Sequence, residues 1–241
     1  RDMADAAKNN KPGLENLIAA SSEIFKALRM EVQEHLGEDL LNAVLTIPVS
    51  CGAKQRLAVR RAAGLAGITI DGFLHEPFAA ALAQLQSEGD GDYLIFDWGG
   101  GTLDITVVRK VGSMLQEMGS GGESALAGSD FDREIARWAK DRFIAAKKLR
   151  GDNVEAEAER RLIYESELRK IELSSAEEAV IEVPDFIGST GLRVPISRHD
   201  LEELIGEWIG LALDDIQSTL KSAGLSPHQI SKVFMVGGSS Q

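Results

Sequence analysis

The 241-residue chain carries 26 basic and 38 acidic residues, a net charge of −12. That balance, with no basic run, argues against a nucleic-acid-binding surface, and no stretch nears the roughly eighteen apolar residues of a membrane span. A single cysteine, Cys51, excludes an internal disulfide and points to a reducing compartment; the polar start RDMADAAKNNKPG is no signal peptide, so a soluble cytoplasmic α/β chain is expected.

Helical and strand periods alternate along it. Leu14, Leu17, Ile18, Ile24, Phe25, Leu28, Val32 and Leu36 recur at helical spacing until Gly37. Ala43 to Val49 reads as a buried strand by its continuous apolar character. A helix over Lys54 to Ala66 is closed by Gly67, then come a strand from Ile68 to Phe73 and a helix from Glu76 to Gln86. The polar stretch SEGDGD (87–92) is the best internal boundary, so residues 1–92 and 93–241 are expected as separate halves. The second half opens with strands on either side of FDWGGGTLD and a third at Ser113 to Met118. Phe131, Ile135, Trp138, Ala139 and Phe143 mark a helix, and Val154 to Ser174 marks a charged one. Ala179 to Val183 and Leu192 to Ile196 flank a GSTG turn as a hairpin. A helix from His199 to Ala223 follows, with Ser197 and Asp200 as a capping pair. Val233 to Val236, read as buried, runs into Gly237 and Gly238.

Four constellations carry chemistry. In FDWGGGTLD a strand delivers Asp97, then come Gly99, Gly100, Gly101 and Thr102. Consecutive glycines let an oxygen-rich ligand approach the backbone, successive amides make an anion-binding concavity, and an acid at the strand end can hold a divalent cation through water. An ordinary glycine hairpin turn is the alternative. In LHEPFAAAL, Glu76 precedes Pro77 at a helix start, where a carboxylate can orient a water or simply complement the helix dipole. In ESELRKIELSS, Glu167, Lys170 and Ser174 share a helix face that suits a ribose or a solvated salt-bridged stripe. In VFMVGGSSQ a second glycine turn follows a strand, as a ligand loop or a plain turn.

In their order and spacing, LTIPVSCGAKQR, LHEPFAAAL, FDWGGGTLDIT, LAGSDFDREI, ELRKIELSS and VFMVGGSSQ resemble the ATPase domain of the heat-shock protein 70 (DnaK-type) chaperone family, from about Leu14 to Gln241. The resemblance implies an α/β, actin-like (ribonuclease H-like) fold in which mixed sheets flanked by helices form two lobes. Residues 1–92 would finish the first lobe and 93–241 form the second, with an outer insertion at about 147–196. It implies ATP or ADP with Mg²⁺ as ligands. Gly99, Gly100, Gly101 and Thr102 would wrap the phosphates, Asp97 bind the Mg²⁺ hydration shell, and Glu76 place the attacking water. Glu167, Lys170 and Ser174 would line the adenosine pocket, with Gly237, Gly238 and Ser239 opposite and Gly128 near the phosphates. Pro48 and Arg56 would relay nucleotide state to a peptide-binding domain. The implied partners are unfolded polypeptide, a J-domain co-chaperone and a nucleotide exchange factor, with no nucleic acid or membrane.

The sequence also departs from that pattern. Gln241 stands where the family has an arginine on the adenine, Ala127 and Ser129 replace a glycine and a glutamate, and Trp98 replaces a smaller apolar residue. Ser50 and Ala53 stand where the family has an aromatic and an acid. His75 and Phe78 replace Asn and Thr in a region that receives the J-domain. An earlier phosphate loop and catalytic lysine of the family precede the point where this sequence starts, and the peptide-binding domain follows its end, so a piece of a larger protein, or a truncated paralogue, is expected. The leading expectation is an ATPase module of a DnaK-like chaperone; the alternatives are a nucleotide-sensing, non-hydrolysing module of the same descent and a sugar kinase of the same fold.

Overall fold

The computed structural model describes residues 13–149 and 154–240. Gln241 and most of the polar start therefore lie outside the described residues. The first element, α1 (Leu14–Leu36), ends where Gly37 takes a left-handed conformation and its N–H closes onto the Gln33 carbonyl. There follow β1 (Asn42–Ile47), α2 (Ala53–Leu65), β2 (Thr69–His75) and α3 (Glu76–Gln84). Next are β3 (Gly91–Trp98), β4 (Leu103–Val111), β5 (Met114–Glu123), α4 (Gly128–Lys147) and α5 (Ala156–Glu172). The chain ends with β6 (Glu178–Ile187), β7 (Thr190–Ser197), α6 (Arg198–Ser222) and β8 (Ile230–Val236).

Two compact units emerge. The first holds residues up to Ile95 together with Thr106–Gly121 and His228–Phe234; the second holds Phe96–Ile105, Gly122–Pro227 and Met235 onward. The strands β5-β4-β3-β8 form a four-stranded sheet in that order, and the division between the units falls within these strands. The connections β3–β4 and β4–β5 are too short for a crossover, so these neighbours run antiparallel.

In the first unit, β1 and β2 pair in parallel across α2, with Ile47 opposite His75. Ala63, Ala66, Ile68 and Ile70 form a core with Phe25, Leu45 and Phe73, and Ile18 of α1 packs with Ala58 and Ala62 of α2. Ala43 and Leu45 of β1 pack against this core, whereas Val44 between them does not. The expectation of a buried β1 is therefore corrected: its residues alternate, Val44 is 64% exposed, and the strand stops at Ile47, leaving Pro48 in the following turn. The β8 strand, also read as buried, is an edge strand with Val233 and Met235 about half exposed.

In the second unit, Ile135, Ala139 and Phe143 of α4 and Leu162 of α5 pack on Ile181, Val183, Leu192, Val194 and Ile196 of the antiparallel β6–β7 pair. The Ser197–Asp200 capping pair forms as expected: Ser197 Oγ accepts from the Asp200 N–H at 3.1 Å and Asp200 Oδ2 accepts from the Ser197 N–H at 2.9 Å. The third strand of the sheet runs to Glu123 rather than stopping at Met118.

Candidate functional site

In the second unit, residues far apart in sequence meet around the glycine turn. Gly99 N–H donates to the Thr102 carbonyl at 3.0 Å, closing the turn. The first two amides of α4 then grip it from one side: Gly128 N–H donates to Gly99 O at 3.0 Å and Ser129 N–H to Gly100 O at 2.9 Å. Ser239 Oγ donates to Gly99 O at 3.1 Å. With those carbonyls held, no acceptor among the described residues takes the N–H of Gly100 or Gly101. A Cβ at either glycine would meet nothing within 4 Å. Two adjacent unengaged amides beside open space form an anion-binding concavity.

The second glycine turn lies against the first. Gly237 has φ +86°, and a Cβ there would overlap the Trp98 carbonyl and lie 2.7 Å from Asp97 Oδ1. Gly128 is a similar crossing point: a Cβ would overlap Ser239 Oγ and lie 3.3 Å from Lys170 Nζ and 3.4 Å from Gly100 Cα. Trp98 is fixed from both sides. Its indole donates to Leu126 O at 2.9 Å, and its ring meets Phe96 and Phe131 edge-on at 5.4 and 5.3 Å.

Beside these turns is a cleft of about 360 Å³ lined by Phe131, Lys170, Leu173, Ser174, Gly238 and Ser239, and closed by Arg198, Leu201, Glu202 and Ile205 of α6. That size is within the range of small-ligand pockets. Lys170 Nζ lies 2.6 Å from Asp132 Oδ1 and donates to Gly128 O at 3.1 Å. Glu167 is exposed and is not part of the lining. Seven residues put it about 10 Å down the helix axis from Ser174, so only two members of the expected trio face the cleft.

Burial, with the neighbouring Asp104 carboxylate adding to it, pushes the Asp97 carboxyl above its ordinary value. Among the described residues no cationic side chain pairs with Asp97. A half-buried acid in this position, next to open amides, fits a hydrated divalent cation bound with phosphates. No cluster of three His, Cys, Asp or Glu side chains among the described residues would hold a metal directly.

In the first unit, the strand pairing collects Pro48, Arg56 and Glu76. Pro48 follows Ile47, whose partner His75 precedes Glu76. Cys51 N–H donates to Pro48 O at 3.0 Å, and Arg56 Nε donates to Cys51 O at 3.0 Å. Arg56 Nη2 reaches His75 Nε2 at 3.5 Å, and His75 Nδ1 faces Glu117 Oε2 at 3.4 Å. Burial pushes the Cys51 thiol up; Arg56 lowers it and the Glu76 carboxylate adds upward.

Three participants escape the motif reading: Asp132, Arg198 and Phe131. Asp132 had a signal, because Ile135, Ala136 and Ala139 at i+3, i+4 and i+7 are buried and put it on the inner face of α4. Arg198 donates to Leu173 O and Ala176 O at 3.0 Å each and to Glu177 at 2.8 Å. It thereby satisfies carbonyls at the end of α5, which no sequence motif announces.

Comparison with known proteins gives the family. The family model described as Hsp70 protein matches residues 13–241, so the chain belongs to the Hsp70 family. It is 36% identical, over 99% of its length, to the chaperone protein dnaK3 of Synechocystis, and 33% identical over 92% to the chaperone protein DnaK of Deinococcus proteolyticus. It is 36% identical over 95% to the chaperone protein HscA of Yersinia pseudotuberculosis. The chain spans about a third of the length of these curated relatives, 32%, 36% and 34% respectively. No helix among the described residues is long and apolar enough to cross a membrane.

Proposed function

We propose that the chain is the nucleotide-binding part of a DnaK-like cytoplasmic chaperone, which binds ATP or ADP with Mg²⁺ and, in the intact protein, hydrolyses ATP to control the binding of unfolded polypeptide. On this reading the fold is actin-like, with residues 1–92 in the first lobe, 93–241 in the second, and 147–196 its outer part. The observation that carries it is the convergence, from four separate segments, of Gly99–Gly101, Gly128, Lys170 and Ser239 beside a cleft.

Gly100 and Gly101 present their amides to phosphate oxygens, and Thr102 closes the turn that orients them. Asp97 would hold a hydrated divalent cation, which would supply neutralisation of the charge developing on the phosphates. Lys170 and Ser174 face the nucleoside, with Gly237, Gly238 and Ser239 forming the other wall and Glu167 at the margin. Glu76 orients the attacking water. Phosphoryl transfer rests on positioning and charge neutralisation, which these groups supply. Pro48 and Arg56 connect Glu76 to the turn at Cys51 and so are the candidates for passing nucleotide state to a client-binding domain. A J-domain protein and an exchange factor are the partners this reading brings with it.

Single-turnover hydrolysis of radiolabelled ATP by the full-length protein tests it. Phosphate release should exceed that of Asp97→Ala by at least about a hundredfold, the scale of losing one electrostatic element of such a site. Release equal to that variant, with nucleotide still bound, identifies a non-hydrolysing sensor instead.

A further inference from the structure

Lys170 is the one cation on the cleft wall whose ammonium is held from behind by a buried acid. Asp132 is the fifth residue of α4, with its side chain 8% exposed, and its Oδ1 is 2.6 Å from Lys170 Nζ. The Gly128 carbonyl accepts from the same ammonium at 3.1 Å, and the Phe131 ring lies 6.0 Å from it. Lysine is a flexible point charge on a four-carbon stem, and fixing it in place loses substantial rotamer entropy. Groups from residues 128–132 of α4 restrict that freedom before any ligand arrives. They also place Lys170 beside Gly128, whose N–H holds the glycine turn through Gly99 O.

We propose that Asp132 is a positioning residue of the cleft: it fixes the Lys170 ammonium against Gly128 so that the nucleoside meets an already oriented positive charge. This rests on the nucleotide-binding reading and extends it to a residue outside the glycine motifs. Asp132 itself does not line the cleft, so it acts only through Lys170. Burial raises the Asp132 carboxyl above its ordinary value; Lys170 lowers it, Glu167 raises it further and Arg133 lowers it. Acid therefore discharges Asp132 at a higher pH than an exposed aspartate, and Lys170 then loses its countercharge.

The test is equilibrium binding of adenosine and of ADP with Mg²⁺ to the full-length protein, from neutral pH down into acid as far as the protein stays folded. Adenosine isolates the nucleoside half from the phosphates and from Asp97. Asp132→Asn should bind adenosine about tenfold more weakly, the scale of one charge-assisted contact. Its affinity should no longer fall on acidification, as the wild type's does. Asp132→Glu should recover part of the affinity together with the pH dependence. In a Lys170→Met background, Asp132→Asn should change nothing further. Wild-type affinity and pH profile in Asp132→Asn, with ADP still bound, overturn the role of Asp132 alone. Should that variant fail to fold, a flat wild-type adenosine profile overturns it equally. A wild type that binds neither probe overturns the nucleotide-binding reading, and this inference with it.

Discussion

The two glycine turns read alike in sequence yet need glycine for opposite reasons. At Gly237 the requirement is internal: the backbone is left-handed and packs against the Trp98 carbonyl, where no side chain fits. At Gly100 and Gly101 the protein makes no such demand. Neither has a positive φ, and both face open space. A glycine placed where the fold would accept alanine leaves room for something to approach the backbone from outside. Gly237 serves the packing of the unit, whereas Gly100 and Gly101 leave open space beside their amides.

That contrast can be broken first at its structural end. Gly237→Ala should cost on the order of 2–4 kcal/mol, combining a left-handed non-glycine residue with backbone overlap. Urea denaturation measures it, and a loss below about 1 kcal/mol would mean that the turn relaxes freely. Gly101→Ala should leave stability within about 0.5 kcal/mol or raise it slightly through a stiffer unfolded chain. The same variant should weaken ADP·Mg²⁺ at least about tenfold, because the methyl group keeps phosphate from the amides. Destabilisation comparable to Gly237→Ala would erase the distinction between the turns.

The smallest effect belongs to the N-terminal cap of α6. The Ser197 hydroxyl and then its N–H hold the Asp200 carboxyl below its ordinary value. A carboxyl lowered in the folded state contributes stability above its unfolded pKa and loses it as pH falls through the folded one. Ser197→Ala should therefore cost about 1 kcal/mol near neutral pH, and the gap to wild type should narrow in acid. Chemical denaturation at several pH values reads this, and a gap that widens in acid would contradict it.

What the sequence revealed was mostly local. The stop of α1 at Gly37 and the cap of α6 at Ser197 depend on residues within one helical turn, and both form as read. The glycine turns were legible for the same reason. Strand burial was not: AVLTIPV looks buried on both faces, but burial depends on what covers a face, and only alternate residues of β1 pack on the core. Glu167, Lys170 and Ser174 have the spacing of one helix face, yet α5 ends at Glu172 before Ser174, and the cleft lining leaves Glu167 outside. Asp132 was hidden by its company, since in DFDREI an inward acid looks like its solvated neighbours. Its alignment with Ile135 and Ala139 was the overlooked clue.

The indole at position 98 has a practical consequence. Of the three tryptophans in the chain, Trp98 is 7% exposed, adjoins Asp97 in sequence, and touches Phe131 of the cleft wall edge-on. Trp138 instead stacks under Arg142, and Trp208 meets Phe131 from α6. A sheltered indole emits to the blue and responds to the field of a nearby charge. On the nucleotide-binding reading, Trp98 would serve as an intrinsic fluorescence probe of occupancy, one residue from Asp97.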